Sequence, residues 1–361
     1  MSFDSDVLIA GGGPTGMAAA LALTDLGHRV HIVDKHAHGL DFSRAILVNS
    51  STLAGLAPFG VADAIAARGR PVEALAFHGP SGTLASGRLE RFEGPRPIFL
   101  PQLETEDCLR EALAARGVIV ERPCELTGLS QDADGVTATL TTAGARRAFR
   151  ARHVIGADGF HSRVREALAI PFRALGPDVT MYSADVVMTP PFAEDGCIFL
   201  LPEGAGMALR FRDRKVRLAG TSRAVFDALG YRKLIEATTW ESEFPAYFAV
   251  AERYGEGRVW LAGDAAHVHS PVGGRGMNMG IADGLRLARA VHEGDFEAYA
   301  RERREVADRW VHLNQRLTSL VGRPGEAGRW VRLGMRSALR AASLVAGERV
   351  AQTMFNEIAA R

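Results

Sequence analysis

Gly11, Gly13 and Gly16 stand in the spacing Gly-x-Gly-x-x-Gly, directly after the apolar run Asp6-Val-Leu-Ile-Ala10 and ahead of an Ala/Leu-rich stretch reaching Leu26. Those residue types at that spacing suit one task, gripping the phosphates of a dinucleotide. Gly11 permits a tight turn off a strand, Gly13 lets the backbone approach a pyrophosphate with no Cβ between, and Gly16 lets the next helix pack closely. The first N–H groups of that helix and its positive dipole end then face the anion. Asp34 closes the next apolar run, Arg29-Val-His-Ile-Val-Asp34, eighteen residues after Gly16. A carboxylate there can accept both hydroxyls of an adenosine ribose. Alone, this pattern leaves the other half of the dinucleotide open.

Two later segments narrow it. His153-Val-Ile-Gly-Ala-Asp158-Gly159 reads as a strand ending in an acid, with Ser162 and Arg165 one turn apart beyond it. Arg258-Val-Trp-Leu-Ala-Gly263-Asp264-Ala-Ala-His267 brings a second acid to the carboxyl end of a strand, the usual ligand position in parallel sheets. Asp264 could accept from a ribityl hydroxyl. Pro271-Val-Gly-Gly-Arg-Gly-Met-Asn278 then makes a glycine-rich turn into a helix. Its N–H groups suit the negative charge that a reduced flavin develops along its N1/O2 edge.

The elements that must position these residues follow from hydrophobic period and turn signals. Strand, helix to Leu26, Gly27 and strand make a β-α-β unit at the start. Helical patterns follow near Ser50 to Arg68 and from Leu103 to Arg116, the latter with Glu104, Glu106 and Asp107 in its first turn. Ala74 to Ser86 reads as a hairpin. Strands are expected at Val118 to Glu121, Glu125 to Ser130, Val136 to Thr141 and Ala148 to Ile155. Met181 to Thr221 is strand-rich without a long helical pattern, and Asn278 to Glu293 returns to helix. This order predicts an α/β fold, a parallel-sheet nucleotide domain interrupted by a mostly antiparallel one.

Composition sets the outer bounds. The 361 residues suffice for two modest domains. A net charge of +1 gives no argument for a nucleic-acid partner. Cys108, Cys124 and Cys197 have no CxxC spacing, which fits a reducing, cytoplasmic setting without disulfides. The start lacks the basic region of a signal peptide, and no run of ~18 apolar residues predicts a transmembrane segment. From Arg301 to Arg361, twelve Arg stand against six acids. That is read as C-terminal helix with a solvated basic face rather than a membrane contact. His28, His31, His36 and His38 cluster in sequence, but strand alternation separates them, so no metal site is expected.

Taken together, the three motifs resemble those of the group A flavin monooxygenases, the para-hydroxybenzoate hydroxylase-like FAD-dependent aromatic hydroxylases, over about Asp6 to Leu287. The resemblance implies a Rossmann-like FAD-binding domain (GR2-type) over 1–71, 98–171 and 255–300. It implies an inserted antiparallel β-sheet substrate domain over 72–97 and 172–254, and a C-terminal helical segment over 301–361. It further implies tightly bound FAD, NADPH or NADH as transient reductant, and O2. A C4a-hydroperoxyflavin would hydroxylate a phenolic or polyketide-like small molecule, in a monomer or homodimer. Gly11, Gly13, Pro14, Thr15, Gly16, Asp34 and Lys35 would contact the ADP part, Arg44 and Gln102 the pyrophosphate and ribityl side, and Leu126 the adenine through its backbone. Asp158 would join flavin-side and nicotinamide-side contacts. Asp264, Pro271, Gly274, Gly276, Met277 and Asn278 would hold the ribityl chain and ring. Two departures stand out: Asp34 where relatives mostly carry Glu, and Arg275 where many carry Gln.

Catalytic and substrate residues are less marked. Arg44, His267 and Arg275 are the candidates nearest the flavin, though His267 reads more readily as structural than as a proton carrier. On the strand around Met207, Met207, Leu209 and Phe211 share one face and Ala208, Arg210 and Arg212 the other. An apolar face over the flavin implies hydrophobic substrates, and an Arg face a carboxylate. Tyr182 is a candidate partner for a substrate hydroxyl. A halogenase, epoxidase or reductase of the same superfamily is the alternative, although the halogenase lysine and WxWxIP segment are missing, with Trp240 and Trp260 far apart. A non-catalytic flavin-binding module is a further one.

Overall fold

A computed structural model describes residues 3–38, 45–89, 94–176, 179–322, 325–326 and 328–337. The first strand, Ser5–Ala10, is buried along nearly its whole length and apolar from Val7 on, and it lies between two parallel neighbours. One is Val30–Val33 and the other the far half of the long strand Ala145–Gly156. Val259–Leu261 adds in parallel beyond Gly156. The register pairs Ala10 with Val33 and with Gly156, and Gly156 with Leu261. All three acid-bearing turns therefore leave the sheet at the same edge, which is where ligands bind such sheets. The near half of Ala145–Gly156 turns away to pair antiparallel with Val136–Thr142, which pairs with Glu125–Gln131.

The expected Val118 to Glu121 strand is reduced to a single parallel bridge between Val33 and Glu121. The helical stretch after Ser50 is two helices, Ser50–Leu56 and Val61–Arg68, joined by a short 3-10 turn at Ala57–Phe59. Gly60, with φ of +75°, makes the break.

A second, seven-stranded sheet forms a roof. Its order is Ile235–Ala246, Val179–Met188, Lys215–Gly220, Gly204–Arg210, Gly196–Leu201, Ala74–Gly79, Gly82–Arg88. Every pairing is antiparallel except Gly196–Leu201 with Ala74–Gly79. The early hairpin and the long middle segment thus share one sheet. Asp195 sits where they join, accepting from Arg70 Nε and from the N–H groups of Glu73 and Ala74.

Two long helices complete the molecule. The loop helix, Gly276–Glu293, packs on the phosphate helix, Pro14–Asp25, through its glycines. A Cβ at Gly284 would fall 2.4 Å from the Thr15 carbonyl oxygen, and one at Gly280 would fall 2.3 Å from Thr15 Oγ1. The brace helix, Phe296–Val321, runs back along the sheet edge. Among the described residues no helix is long and apolar enough to cross a membrane.

Candidate functional site

The phosphate end is built by glycine. Gly11 turns the chain at φ of +110°, and a Cβ there would land 2.1 Å from the Ala157 carbonyl oxygen. A Cβ at Gly16 would fall 1.9 Å from the Gly11 carbonyl oxygen, so any larger residue would force the helix off the turn. Beyond Gly13, by contrast, the Cβ direction is open space. Gly13 is also the N-cap of the phosphate helix, whose first turn carries no acid and no capping side chain. Its N-terminal N–H groups are thus left for a ligand anion.

Asp34 is tied in from two sides. It accepts from Gly12 N at 2.7 Å and from His36 N at 2.8 Å, and lies 3.7 Å from Arg122. Arg122 in turn donates to the Gly12 carbonyl oxygen at 2.8 Å. The Gly12 peptide is gripped at both ends. Sequence reasoning missed Arg122, although it follows the Val118 to Glu121 run at the edge where ligands bind.

These residues line a cleft of about 290 Å³. It gathers Gly11, Gly13, Asp34, Lys35, Gln102, Leu126, Asp158 and Asp264 from six separate stretches of chain. Glu106 lines it too, held by Gln102 Nε2 at 2.8 Å, and burial pushes its carboxyl above the usual range. The cradle fits FAD on its own terms: an open glycine under a helix N-terminus for phosphates, Asp34 for a ribose, and Asp264 at the far side for a polyol chain.

The Asp158 carboxylate is largely occupied within its own turn. It accepts from Ser162 Oγ at 2.5 Å and from the N–H groups of Arg163 and Val164 at 2.7 and 3.2 Å. Burial raises its pKa, and these bonds oppose the rise. Arg165, on the short helix so capped, reaches back to Phe160 O at 2.8 Å and across to Ala265 O at 3.0 Å. One buried guanidinium therefore fastens the Asp158 turn to the Asp264 turn.

Asp264 follows Gly263, which has φ of +62° and donates its N–H to Asp283 Oδ2 at 3.0 Å. His267 Nε2 meets that same oxygen at 2.6 Å, and Arg303 Nε meets Oδ1 at 2.6 Å. Burial alone would raise the Asp283 pKa, but Arg303 and His267 hold it below the usual value. His267 is 1% exposed and faces Asp283, away from the cleft. Its place is that of a residue that holds the Asp264 turn.

Pro271 to Gly274 form a turn closed by Gly274 N to Pro271 O at 2.9 Å. Asn278 is fully buried, accepting from Asn49 N and donating to Leu47 O and Gly274 O. Its side chain secures the loop from inside, while the loop helix begins at Gly276 without a side-chain cap or an acid in its first turn. Met277 packs against the main core. The Arg275 guanidinium stacks 4.4 Å from the Trp310 ring, toward the brace helix. Thr15 packs between Gly263 and Gly280 at the helix junction. Arg44 lies outside the described residues.

The roof's two faces are now distinguishable. Leu209 and Phe211 pack with Ile46, Leu47 and Phe99 beneath the sheet, and Met207 borders that cluster. Met181 and Phe244 share the same face and pack near Val272 of the loop. Tyr182 lies on the other face among Ala184, Val186 and Phe226, with its hydroxyl donated to Glu241 at 2.9 Å. Ala208 is there too, and Arg210 bonds Ala193 O. The apolar face covers the loop. Along it, the register aligns Phe77, Ile198, Met207 and Ala219 across four strands, all only half-buried.

Residues 4–220 and 212–313 match the family model described as FAD binding domain. The chain is 33% identical over 354 residues to a 6-methylpretetramide 4-monooxygenase of Streptomyces rimosus, covering 87% of this chain and 62% of that protein. It is 31% identical to a rifampicin monooxygenase of Streptomyces venezuelae, covering 84% and 68%. The chain thus spans under two thirds of the first relative's length. In fold it superimposes on a p-nitrophenol 4-monooxygenase of Pseudomonas putida with a TM-score of 0.85 at 21% identity, over 98% of this chain and 97% of that one.

Proposed function

We propose, on the premise that this chain belongs to the FAD binding domain family of flavin-dependent monooxygenases, that it hydroxylates an apolar phenolic or polyketide-like aromatic ring. The balance is one O2 and one NAD(P)H with a proton consumed, one oxygen atom placed on the ring and the other released as water. Bound FAD supplies electron transfer from the nicotinamide and the activation of O2. Everything else falls to the chain. Gly11, Gly13 and the phosphate helix hold the pyrophosphate, Asp34 and Arg122 the adenosine side, and Asp264 the ribityl chain. The N–H groups at the start of the loop helix offset negative charge on the reduced ring.

One observation carries this reading: Gly11–Gly13, Asp34, Asp158 and Asp264 converge on one cleft at one sheet edge. The half-buried apolar row Phe77, Ile198, Met207 and Ala219 supports a hydrophobic substrate under the roof, with water kept out by the surrounding apolar clusters. The test is direct. Purified protein is expected to be yellow, to oxidise NAD(P)H faster in air when polycyclic phenols are added, and to place label from 18O2 in the product. Colourless protein that takes up no FAD would sink the reading. Turnover that persists without O2 would replace it by a reductase.

A further inference from the structure

The outer face of the roof carries a side-chain cluster that neither the cleft nor the inner face uses. Among the described residues, one group of three possible metal ligands comes together, His78, Glu194 and Cys197, with their donor atoms all within 4.8 Å of one another. They meet at the seam where Ala74–Gly79 pairs in parallel with Gly196–Leu201. Cys197 stands opposite Ala76 and Phe199 opposite His78, so alternation puts the thiol and the imidazole on one face of neighbouring strands. Glu194 enters from the turn before the second strand, next to the Asp195 that already ties this seam. The His78 ring is stacked on Phe199, centroids 5.7 Å apart, and its Nδ1 lies 3.4 Å from Thr83 Oγ1. Its Nε2 is buried without a hydrogen-bond partner. Cys197 is a free thiol, 0% exposed. His78 and Glu194 are half-buried, so the cluster opens to solvent on their side. A cation, Arg210, bonds Ala193 O at 3.3 Å beside the cluster.

We propose that His78, Glu194 and Cys197 bind one zinc ion, with water as the fourth ligand, and that the ion staples the 74–88 hairpin to the rest of the roof. A thiolate, an imidazole and a carboxylate suit zinc, whose bonds of about 2.0–2.3 Å place tetrahedral donors ~3.5 Å apart. The three donors reach that spacing by side-chain rotation, Glu194 having the longest reach. A proton on Nδ1 shared with Thr83 leaves the Nε2 lone pair for the metal, the usual arrangement of a ligating histidine. Two anionic ligands against Arg210 leave the cluster net negative, and binding releases the thiol proton to solvent. The ion also gives a partner to a buried imidazole nitrogen that otherwise costs stability. Phe77 and Ile198, the chain neighbours of His78 and Cys197, point to the inner face in the half-buried row, so the metal steadies that row from behind. The zinc site stands whether or not that row receives substrate.

Metal titration of the full chain tests it, with protein purified without a histidine tag, stripped by a chelator and then given Zn2+ or Co2+. The parent is expected to take up one Zn2+ per chain and to gain thermal stability from it. Co2+ in its place should give thiolate-to-cobalt absorption and tetrahedral bands in the red, where flavin does not absorb. Cys197→Ala and His78→Gln are expected to lose at least about a hundredfold in zinc affinity, and Glu194→Gln about tenfold. Cys108→Ala, outside the cluster, should bind as the parent does. Stoichiometric zinc that survives in His78→Gln overturns the proposal, because the ion then sits elsewhere, and so does a cobalt spectrum without a thiolate band. A parent that takes up no Zn2+ at micromolar concentration overturns it too, leaving Cys197 a core thiol. His78 and Glu194 are half-buried, so their variants decide the matter even where Cys197→Ala fails to fold.

Discussion

At His269 both ring nitrogens have partners: Nδ1 donates to Ser270 O and Nε2 accepts from Trp310. That arrangement requires the neutral ring. Burial first, then the nearby His267 and Arg275, lower its pKa to about 4. The sign follows from linkage. Below about 6.5 the unfolded chain takes up a proton at this position and the folded protein does not, so stability falls as pH drops toward 4. The loss from this group should approach about 3 kcal/mol. Urea unfolding of the parent and of His269→Gln between pH 7 and 4.5 checks it, because only the parent should carry the extra dependence. Parallel curves would mean the imidazole is not held neutral. His267, two residues earlier, illustrates how much of a residue's role the sequence conceals. Its place beside Asp264 pointed to a structural role ahead of proton transfer, but not to its partner, Asp283, which lies sixteen residues on, past the loop and inside the next helix. Nothing local announced that pairing. The glycines, whose work is done by neighbouring backbone, were readable because their chemistry is local.

Between elements, the contacts that position the site are polar and buried, and these were the hardest to foresee. Helix and strand periods located the phosphate helix, the loop helix and the two acid-bearing strands. They could not say that Arg165 bridges two turns, or that Asp283 holds the turn before Asp264. Asp283 is completely buried with Arg303 and His267 as partners, so removing its charge takes a buried counter-charge from the Arg303 guanidinium. Asp283→Asn is expected to cost about 3 kcal/mol in urea unfolding. It should also weaken FAD binding roughly tenfold by fluorescence titration, since about 1.4 kcal/mol of turn stability is a factor of ten. Unchanged affinity with lost stability would separate Asp283 from the site. A second outcome belongs to the junction of turn and helix. Gly16→Ala places a methyl 1.9 Å from the Gly11 carbonyl oxygen, so the helix must retreat from the phosphates. That variant should fold less stably and purify without its flavin colour, and a normally yellow Gly16→Ala protein would contradict the close-packing argument.

Across the whole molecule, the substrate's position depends on which face of the roof looks inward, and alternation alone cannot decide that. Both faces are largely apolar: Tyr182, Ala184 and Val186 on one, Met181, Met207 and Leu209 on the other, where a buried Arg217 pairs with Asp185 beside Leu209. The choice is made by distant partners. Leu47 and Phe99 come from the short strands Leu47–Val48 and Ile98–Phe99 and Val272 from the 270–276 loop, and all three pack on the Met207 side. Leu209 and Phe211 are consumed in that packing, whereas Met207 remains half-buried in the row with Phe77, Ile198 and Ala219. Free space under the roof should therefore lie at Met207. Met207→Trp fills it from above and is expected to raise KM for a polycyclic phenol at least tenfold, with FAD affinity unchanged. Tyr182→Phe removes only the bond to Glu241 on the outer face. It should cost about 1 kcal/mol of stability and leave KM alone. Steady-state kinetics on both variants, with FAD content measured beside them, decides between the faces. If Tyr182→Phe moves KM while Met207→Trp does not, the substrate binds on the side away from the loop, and the roof has been assigned upside down.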